Sequence, residues 1–304
     1  MPIPEAEKIW MDGELIDWAE AKIHVLTHTL HYGSGVFEGI RAYETPKGTA
    51  VFRLSDHIRR LYQSAFIYRK EIPFTQEQLV EATKQVVRAN GLASCYIRPI
   101  VFRGYGEMGL NPLSAPVNVA IAAWPWGTYL GDEGIKHGVR AKISSFRRND
   151  VNHIPPAAKA CGQYLNSILA KIEVTEAGYD EAILLNNNGF VADGSGENVF
   201  IVRKGALYTP PTSSGALEGI TRDSIIRIAE DMEIPFRERD LVRTDLYLAD
   251  EAFFTGTAAE VVPIREVDDR VLGEPGPVTR RLQEAFFRIV HGEDPRYEHW
   301  LEHV

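Results

Sequence analysis

The chain has 304 residues, 44% apolar and 25% charged, with 33 basic against 42 acidic side chains and a net charge of −9. That length can bury a sizeable core and suggests about two domains, while an acidic balance without any Lys/Arg-rich run excludes a non-specific nucleic-acid binder. The mid-chain apolar run Val119 to Trp124 is too short to span a bilayer, and the opening MPIPEAEKIW lacks a basic-then-apolar signal pattern, so the expected location is the cytoplasm, with no membrane partner. Cys95 and Cys161 are too few for a disulfide framework or a thiolate zinc site, and reduced, buried thiols are expected.

Strand-like runs occur at AVFRL (50–54), CYIRPIVF (95–102) and NVAIAAW (118–124), with a helix between the first two. Thr75 and Gln78 give that helix a capping-box pattern, Leu79, Ala82 and Val86 follow at helical spacing, and Gly91 closes it. PWGTYLGDEG (125–134), with three glycines and one proline, breaks the periodicity as a linker does. The expected division is therefore a smaller N-terminal α/β domain at 1–124, an interdomain loop at 125–135 and a larger C-terminal domain at 136–304.

Beyond the linker, VRAKISSF reads as a strand, and HIPPAAKACGQYLNS (153–167) leads into a helix with Leu165, Ile168, Leu169 and Ile172 on one face. The strands EAILLN and ENVFIV flank the turn-rich NNNGFVADGSG, and RKGA starts a hairpin into LYTPP. One helix begins at about Thr221 with Ile225, Ala229 and Met232 inward; a final one carries Val278, Leu282, Ala285, Phe286 and Ile289. The chain shows no internal repeat.

Lys159 stands out at the junction of strand and helix. Ala157, Ala158, Ala160, Cys161 and Gly162 leave its amine uncrowded, and no carboxylate lies within six residues on either side. A lysine on a solvated helix face usually has acidic neighbours, whereas this one is kept clear for something large to approach. In LEGITRDSIIRIAE (217–230), Gly219 precedes Ile220 and Thr221 at a helix start, where backbone N–H groups form an anion site or merely an ordinary N-cap. FFTGTAAEVVP (253–263) offers a second tight turn at Thr255, Gly256 and Thr257. An isolated lysine with two Gly/Thr turns suits a phosphate-bearing aldehyde, which needs an amine and an anion cradle. By contrast, YGSGVFEG (32–39) has G-x-G-x-x-x-G spacing and fails as a dinucleotide fingerprint. His24, His28 and His31 share helical spacing but have no Cys or acidic ligand among them; no metal is expected.

The stretches LHYGSGVFEGIRAY, HIRRLYQSA, YIRPIVF, MGLNP, PWGTYLG, IPPAAKACGQY, DGSGENVF, ALEGITRDSII and LYLADEAFFTGTAAEVVPI follow one another across nearly the whole chain. In that order they resemble the class IV, fold-type IV pyridoxal-phosphate aminotransferases, and most closely the bacterial branched-chain amino acid aminotransferases. The resemblance implies a two-domain fold of mixed α+β and α/β character, like that of D-amino acid aminotransferase. It also implies that Lys159 forms the Schiff base with pyridoxal 5'-phosphate and shuttles the proton at the substrate's α-carbon. Arg60, the backbone of Ile220 and Thr221, Gly256 and Thr257 would hold the phosphate, with Arg59 at the surface. Tyr164 would bond the phenolic oxygen, and Asp193, with Gly196 in the same turn, would face the pyridine nitrogen. Tyr96 and Arg98, on one face of a strand, would grip the substrate's α-carboxylate together with Thr257 and Ala258.

By the same resemblance Tyr32, Phe37, Trp126, Tyr129 and Tyr164 would line an apolar side-chain pocket, with Met108 and Leu110 supplied by a neighbouring subunit. The expected assembly is thus a homo-oligomer, from a homodimer up to a hexamer. Relatives usually carry Glu where this chain has Asp193, and Glu197 is the competing partner for the ring nitrogen. The expected reaction is transamination between Leu, Ile or Val and 2-oxoglutarate, giving branched 2-oxo acids and L-glutamate. The alternatives are a class IV transaminase for (R)-amines or D-amino acids, a lyase releasing pyruvate from aminodeoxychorismate, and a catalytically silent ligand-binding oligomer.

Overall fold

The computed structural model describes residues 3–127 and 130–304, which group by their contacts into two units. The first comprises Met1–Trp126, Ala158–Gly162 and Ile289–Val304; the second comprises Gly127–Ala157 and Gln163–Arg288. The expected placement of Lys159 with the C-terminal domain differs from this grouping, because Ala160 bridges to Val36 and the Lys159 backbone N–H donates to Ser64 Oγ at 3.0 Å. Tyr129 lies outside the described residues.

In the first unit, β1 (Lys8–Met11) and β2 (Glu14–Asp17) precede α1 (His28–Tyr32), β3 (Gly35–Phe37), β4 (Ile40–Thr45), β5 (Gly48–Phe52), α2 (Leu54–Ile67), α3 (Gln76–Ala89), β6 (Cys95–Arg103) and β7 (Val117–Trp124). The expected strand AVFRL ends at Phe52, because Arg53 turns left-handed at φ 49° and starts α2. Leu54, Ile58, Leu61 and Ala65, three or four positions apart, bury one side of α2 against Ile97, Val101 and Val119 of the sheet. The predicted capping box starts α3, with Gln78 N donating to Thr75 Oγ1 at 3.2 Å and Thr75 N to Gln78 Oε1 at 2.7 Å. Pro99 explains why β3 and β4 are separate strands. The Glu38 N–H donates to the Pro99 carbonyl at 2.9 Å, but Pro99, lacking an N–H, cannot return the bond, and the ladder opposite it breaks between Phe37 and Ile40.

The second unit begins with α4 (Gly131–His137), β8 (Val139–Arg147), α5 (Tyr164–Glu176), β9 (Glu181–Leu185), β10 (Val191–Gly194), β11 (Asn198–Arg203) and β12 (Ala206–Thr209). It continues with α6 (Ile220–Asp231), β13 (Phe236–Glu238), α7 (Arg243–Tyr247), β14 (Glu251–Gly256), β15 (Glu260–Val267), β16 (Arg270–Val271) and α8 (Pro277–Val290), of which the last two residues group with the first unit. The last strand, β17 (Leu301–His303), joins the first sheet, ordered β17-β5-β4-β6-β7-β1-β2 with β3 on β6. The second sheet runs β10-β9-β8-β15-β14-β11-β12-β13, with β16 on β15. Its β8–α5–β9 passage is parallel, as a helical crossover requires. Within a stretch read as turn, β10 pairs with β9 through a register shift between Val191 and Asp193. On α5 the buried residues are Ser167, Ala170 and Val174.

Candidate active site

Lys159 is half-buried, and its main chain is fixed on both sides: its N–H donates to Ser64 Oγ of α2, and its carbonyl accepts from Phe37 N at 3.0 Å. Its amine lies 5.2 Å from the centroid of the Phe37 ring. The Arg98 guanidinium lies 4.7 Å from the same centroid and donates from Nη2 to the Tyr96 hydroxyl at 3.4 Å. The lysine and the expected carboxylate grip therefore meet at one aromatic ring. The alternation of β6 brings Tyr96 and Arg98 to a common face, and Trp126 packs edge-on against Tyr96 at 4.4 Å. Gly39 admits the Tyr96 hydroxyl, since a Cβ there would stand 2.1 Å from it.

Arg60 is buried on α2 beside a carboxylate that sequence reasoning passed over. Its Nε and Nη2 both reach Glu38, at 2.7 Å each, and His57 Nδ1 lies 2.8 Å from the same carboxylate. Burial pushes the Glu38 carboxyl up, but the Arg60 charge and the hydrogen bonds from His57 and Arg60 outweigh it and hold the pKa at about 2. Burial conversely lowers the pKa of His57. Arg59, by contrast, turns outward and pairs with Asp56 at 2.5 Å.

In the second unit, Arg148, Tyr164, Asp193, Gly196 and Glu197 line one small cavity. Asp193 is 4% exposed; it accepts from Asn198 Nδ2 at 2.8 Å and from Leu217 N at 3.0 Å, and Arg148 Nη2 stands 3.9 Å away. Burial raises its pKa to about 6, against the Arg148 charge and those two hydrogen bonds. Glu197 is also buried and raised, first by desolvation and next by Glu181, and it accepts from Gly196 N at 3.0 Å. Both candidates for the ring-nitrogen partner thus share a cavity. Among the described residues, only Asp193 has a cation of the cavity wall close to it.

α6 starts at Ile220 behind Gly219, which supplies no side-chain cap. Ile220 and Thr221 are buried at that helix start. Gly256, Thr257 and Ala258 are half-buried at the turn from β14 to β15, and a Cβ on Gly256 would stand in ordinary contact distance of Gly196 and Glu197. Tyr32 differs from the other expected pocket residues. It is 47% exposed, and its hydroxyl donates to the carbonyl of Met108, itself in an exposed loop with Leu110. Glu38, His57, Ser64, Arg148 and Asn198 went unread in the sequence, although all but Arg148 lie inside recognised stretches: Glu38 in LHYGSGVFEGIRAY, His57 and Ser64 in HIRRLYQSA, and Asn198 in DGSGENVF.

The family described as amino-transferase class IV matches residues 35–267. The branched-chain-amino-acid aminotransferase of Pseudomonas aeruginosa is 50% identical over 294 residues, covering 96% of this chain and 95% of its own. The crystal structure of the Escherichia coli branched-chain amino acid aminotransferase superposes with a TM-score of 0.96 at 48% identity, covering 98% of this chain and 99% of that one. The T.th. branched-chain amino acid aminotransferase, solved with pyridoxamine 5'-phosphate, gives a TM-score of 0.95 at 51% identity with coverage of 98% and 99%. With identity at this level along nearly its whole length, the chain belongs to the class IV aminotransferases.

Proposed function

We propose that the protein is a pyridoxal-phosphate-dependent aminotransferase that moves the amino group between L-leucine, L-isoleucine or L-valine and 2-oxoglutarate. The observation that carries this reading is the common Phe37 ring beneath the Lys159 amine and the Arg98 guanidinium. An amine able to handle a proton at the substrate's α-carbon beside a cation able to hold an α-carboxylate is what an amino acid requires. A simple amine would leave Arg98 without its anion. The relatives named for branched-chain substrates support the same choice over (R)-amines or D-amino acids.

The residues fit the cofactor. Lys159 stands among small neighbours, a 12-residue helix starts behind a glycine with no side-chain cap, and a buried carboxylate faces a cavity. Bound there, pyridoxal phosphate supplies the electron sink for the pair released when the α-carbon loses its proton. Lys159 would hold the cofactor and act as the base and acid at that carbon, its root immobilised by Ser64 and Phe37. Arg60, its guanidinium plane fixed by Glu38, would hold the phosphate by charge. The N–H groups of Ile220 and Thr221 would contribute the positive end of the α6 dipole, and Gly256 and Thr257 a second turn. Tyr164 would bond the phenolic oxygen. Asp193, with Gly196 beside it, would hold the proton on the pyridine nitrogen, preferred over Glu197 because Arg148 favours its charged form. Tyr96, Arg98 and the Thr257–Ala258 backbone would grip the carboxylate, with Phe37, Trp126 and Tyr164 as apolar walls.

A homodimer is the smallest assembly this reading needs. Leu165, Ile168, Leu169 and Ile172 are 67%, 50%, 48% and 49% exposed on one face of α5, an apolar stripe suited to a second copy. Tyr32 sits with Met108 and Leu110, so all three are assigned together to the neighbour's substrate pocket. Among the described residues no helix is long and apolar enough to cross a membrane, and the cytoplasm is the proposed site of action. A panel of amino donors with 2-oxoglutarate tests the reading: turnover should be fastest with L-leucine, L-isoleucine or L-valine, and faster turnover of a D-amino acid or an (R)-amine would overturn it.

A further inference from the structure

Lys70 follows α2 at the end of a turn and is 6% exposed. Among the described residues its ammonium has no ion pair and no hydrogen bond, and it lies 5.0 Å from the centroid of the Tyr68 ring. Arg103, at the end of β6, is 4% exposed. It donates from Nη1 to the carbonyl of Ala115 at 3.0 Å and from Nη2 to that of Arg69 at 2.7 Å, while its buried Nε has no partner. Among the described residues neither cation has a carboxylate in contact. Both line one open cavity of about 900 Å³, together with Arg69, the exposed Glu71 and the apolar side chains of Phe66, Ile67, Leu113 and Val117.

A lysine or arginine is almost never buried without a counter-charge, because the desolvation cost stays uncompensated. Here the wall keeps Lys70 without a counter-charge and Arg103 with only the exposed Glu71 acting on it without contact, and the cavity leaves room for an anion. Its size falls within the range of small-molecule sites, about 300–1,000 Å³, and its mixed lining of a few charges among apolar surfaces is the usual one. We propose that this cavity binds an amphipathic organic anion, a carboxylate on a hydrocarbon chain. The carboxylate sits against Lys70 and Arg103, and the chain lies along Phe66, Ile67, Leu113 and Val117. The site is separate from the carboxylate grip of Arg98.

Proton linkage supports the assignment. Burial and the Arg103 charge lower the Lys70 pKa to about 8, with Cys161 opposing them. A carboxylate beside Lys70 restores its charge, so binding at pH 8 takes up protons. The other groups around it are Arg103, Cys161, Tyr68, Arg69 and Glu71. Burial lowers the pKa of Arg103 and raises those of Cys161 and Tyr68. None of these shifts brings a proton-accepting group to pH 8.

The test is calorimetric titration of the cofactor-loaded enzyme with octanoate at pH 8, in two buffers of different ionisation heat. The expected result is two sites per chain, the carboxylate grip of Arg98 and this cavity, with proton uptake at the cavity, where 1-octanol should bind weaker by about tenfold or more for want of the charge. Arg98→Ala should remove binding at the substrate grip and leave the cavity site; in that background Lys70→Met should weaken octanoate binding about tenfold and Lys70→Arg should bind without proton uptake. Failure to bind, as when a second copy covers the cavity, overturns the proposal. So does binding that Arg98→Ala removes entirely, or that Lys70→Met leaves unchanged in that background. Should Lys70→Met not fold, Leu113→Glu on the exposed rim takes its place: repulsion should weaken octanoate about tenfold, and unchanged binding overturns the site.

Discussion

Arg60 and Glu38 form a two-point ion pair inside the first unit, Nε to Oε1 and Nη2 to Oε2 at 2.7 Å each. Glu38 is fully buried, and His57 approaches its second oxygen at 2.8 Å. Removing one partner leaves a buried charge, which costs about 3–5 kcal/mol. Glu38→Gln should lower unfolding stability by about that amount in urea titration; a loss below about 1 kcal/mol would show that Arg60 is held by other contacts. The pH dependence has a definite sign. The folded pKa of Glu38 is depressed from 4.5 to about 2, so its stabilisation is complete above the ordinary carboxylate range and lost as pH falls from about 4.5 toward 2.

That ion pair also shows where the sequence stopped speaking. The α3 helix was legible because its cap and apolar spacing are local: Thr75, Gln78, Leu79, Ala82 and Val86 lie within one short window. The neighbouring α2 was not, since Arg60 and His57 interrupt its buried side and their partner Glu38 lies about twenty residues upstream, in a break that Pro99 imposes from a third element. The apolar stripe of α5 was read correctly as one face, but a stripe looks the same whether the chain's own core or another copy covers it. The lysine, the glycine before α6 and the turn after β14 were visible as local chemistry. Arg148 was not, because only folding brings it to Asp193, whereas Asn198 stands in the same recognised stretch as Asp193 and only its hydrogen bond went unread.

Asp193 should set the pH range in which the cofactor is retained. With a pKa of about 6 in the cofactor-free protein, it is ionised above pH 6 and increasingly protonated below. Its contribution to cofactor affinity should then weaken by about tenfold per pH unit below that value. The ratio of cofactor dissociation constants for native protein and Asp193→Asn isolates this effect, since the cofactor's own titrations cancel. A ratio that stays flat between pH 7 and pH 5 would assign the role to another group. Glu197→Gln should retain activity at neutral pH, because burial and Glu181 already favour the neutral form of that carboxyl.

Arg98→Ala should discriminate between substrates. The guanidinium that meets the Tyr96 hydroxyl at 3.4 Å serves only a donor with an α-carboxylate. Losing such a charge-assisted contact should cut kcat/KM for L-leucine by about tenfold to a hundredfold, or about 1.5–3 kcal/mol, and spare any activity toward a simple amine. Equal losses for both substrates would make Arg98 a structural residue.

Ile168→Glu should disturb assembly. The residue is 50% exposed within the apolar face of α5, and a buried, unpaired charge there opposes association by about several kcal/mol. Analytical ultracentrifugation should find a smaller species than for the native protein. An unchanged mass would place the subunit contact elsewhere.

The most direct measurement is the visible absorption of the cofactor-loaded enzyme. Adding L-leucine should bleach the band within one turnover, and adding 2-oxoglutarate should restore it as the amino group passes on. Lys159→Ala should do neither at a comparable rate, because it lacks the amine beside the Phe37 ring that moves the proton. A band that L-leucine leaves unchanged, or one that cycles normally in Lys159→Ala, would contradict the account.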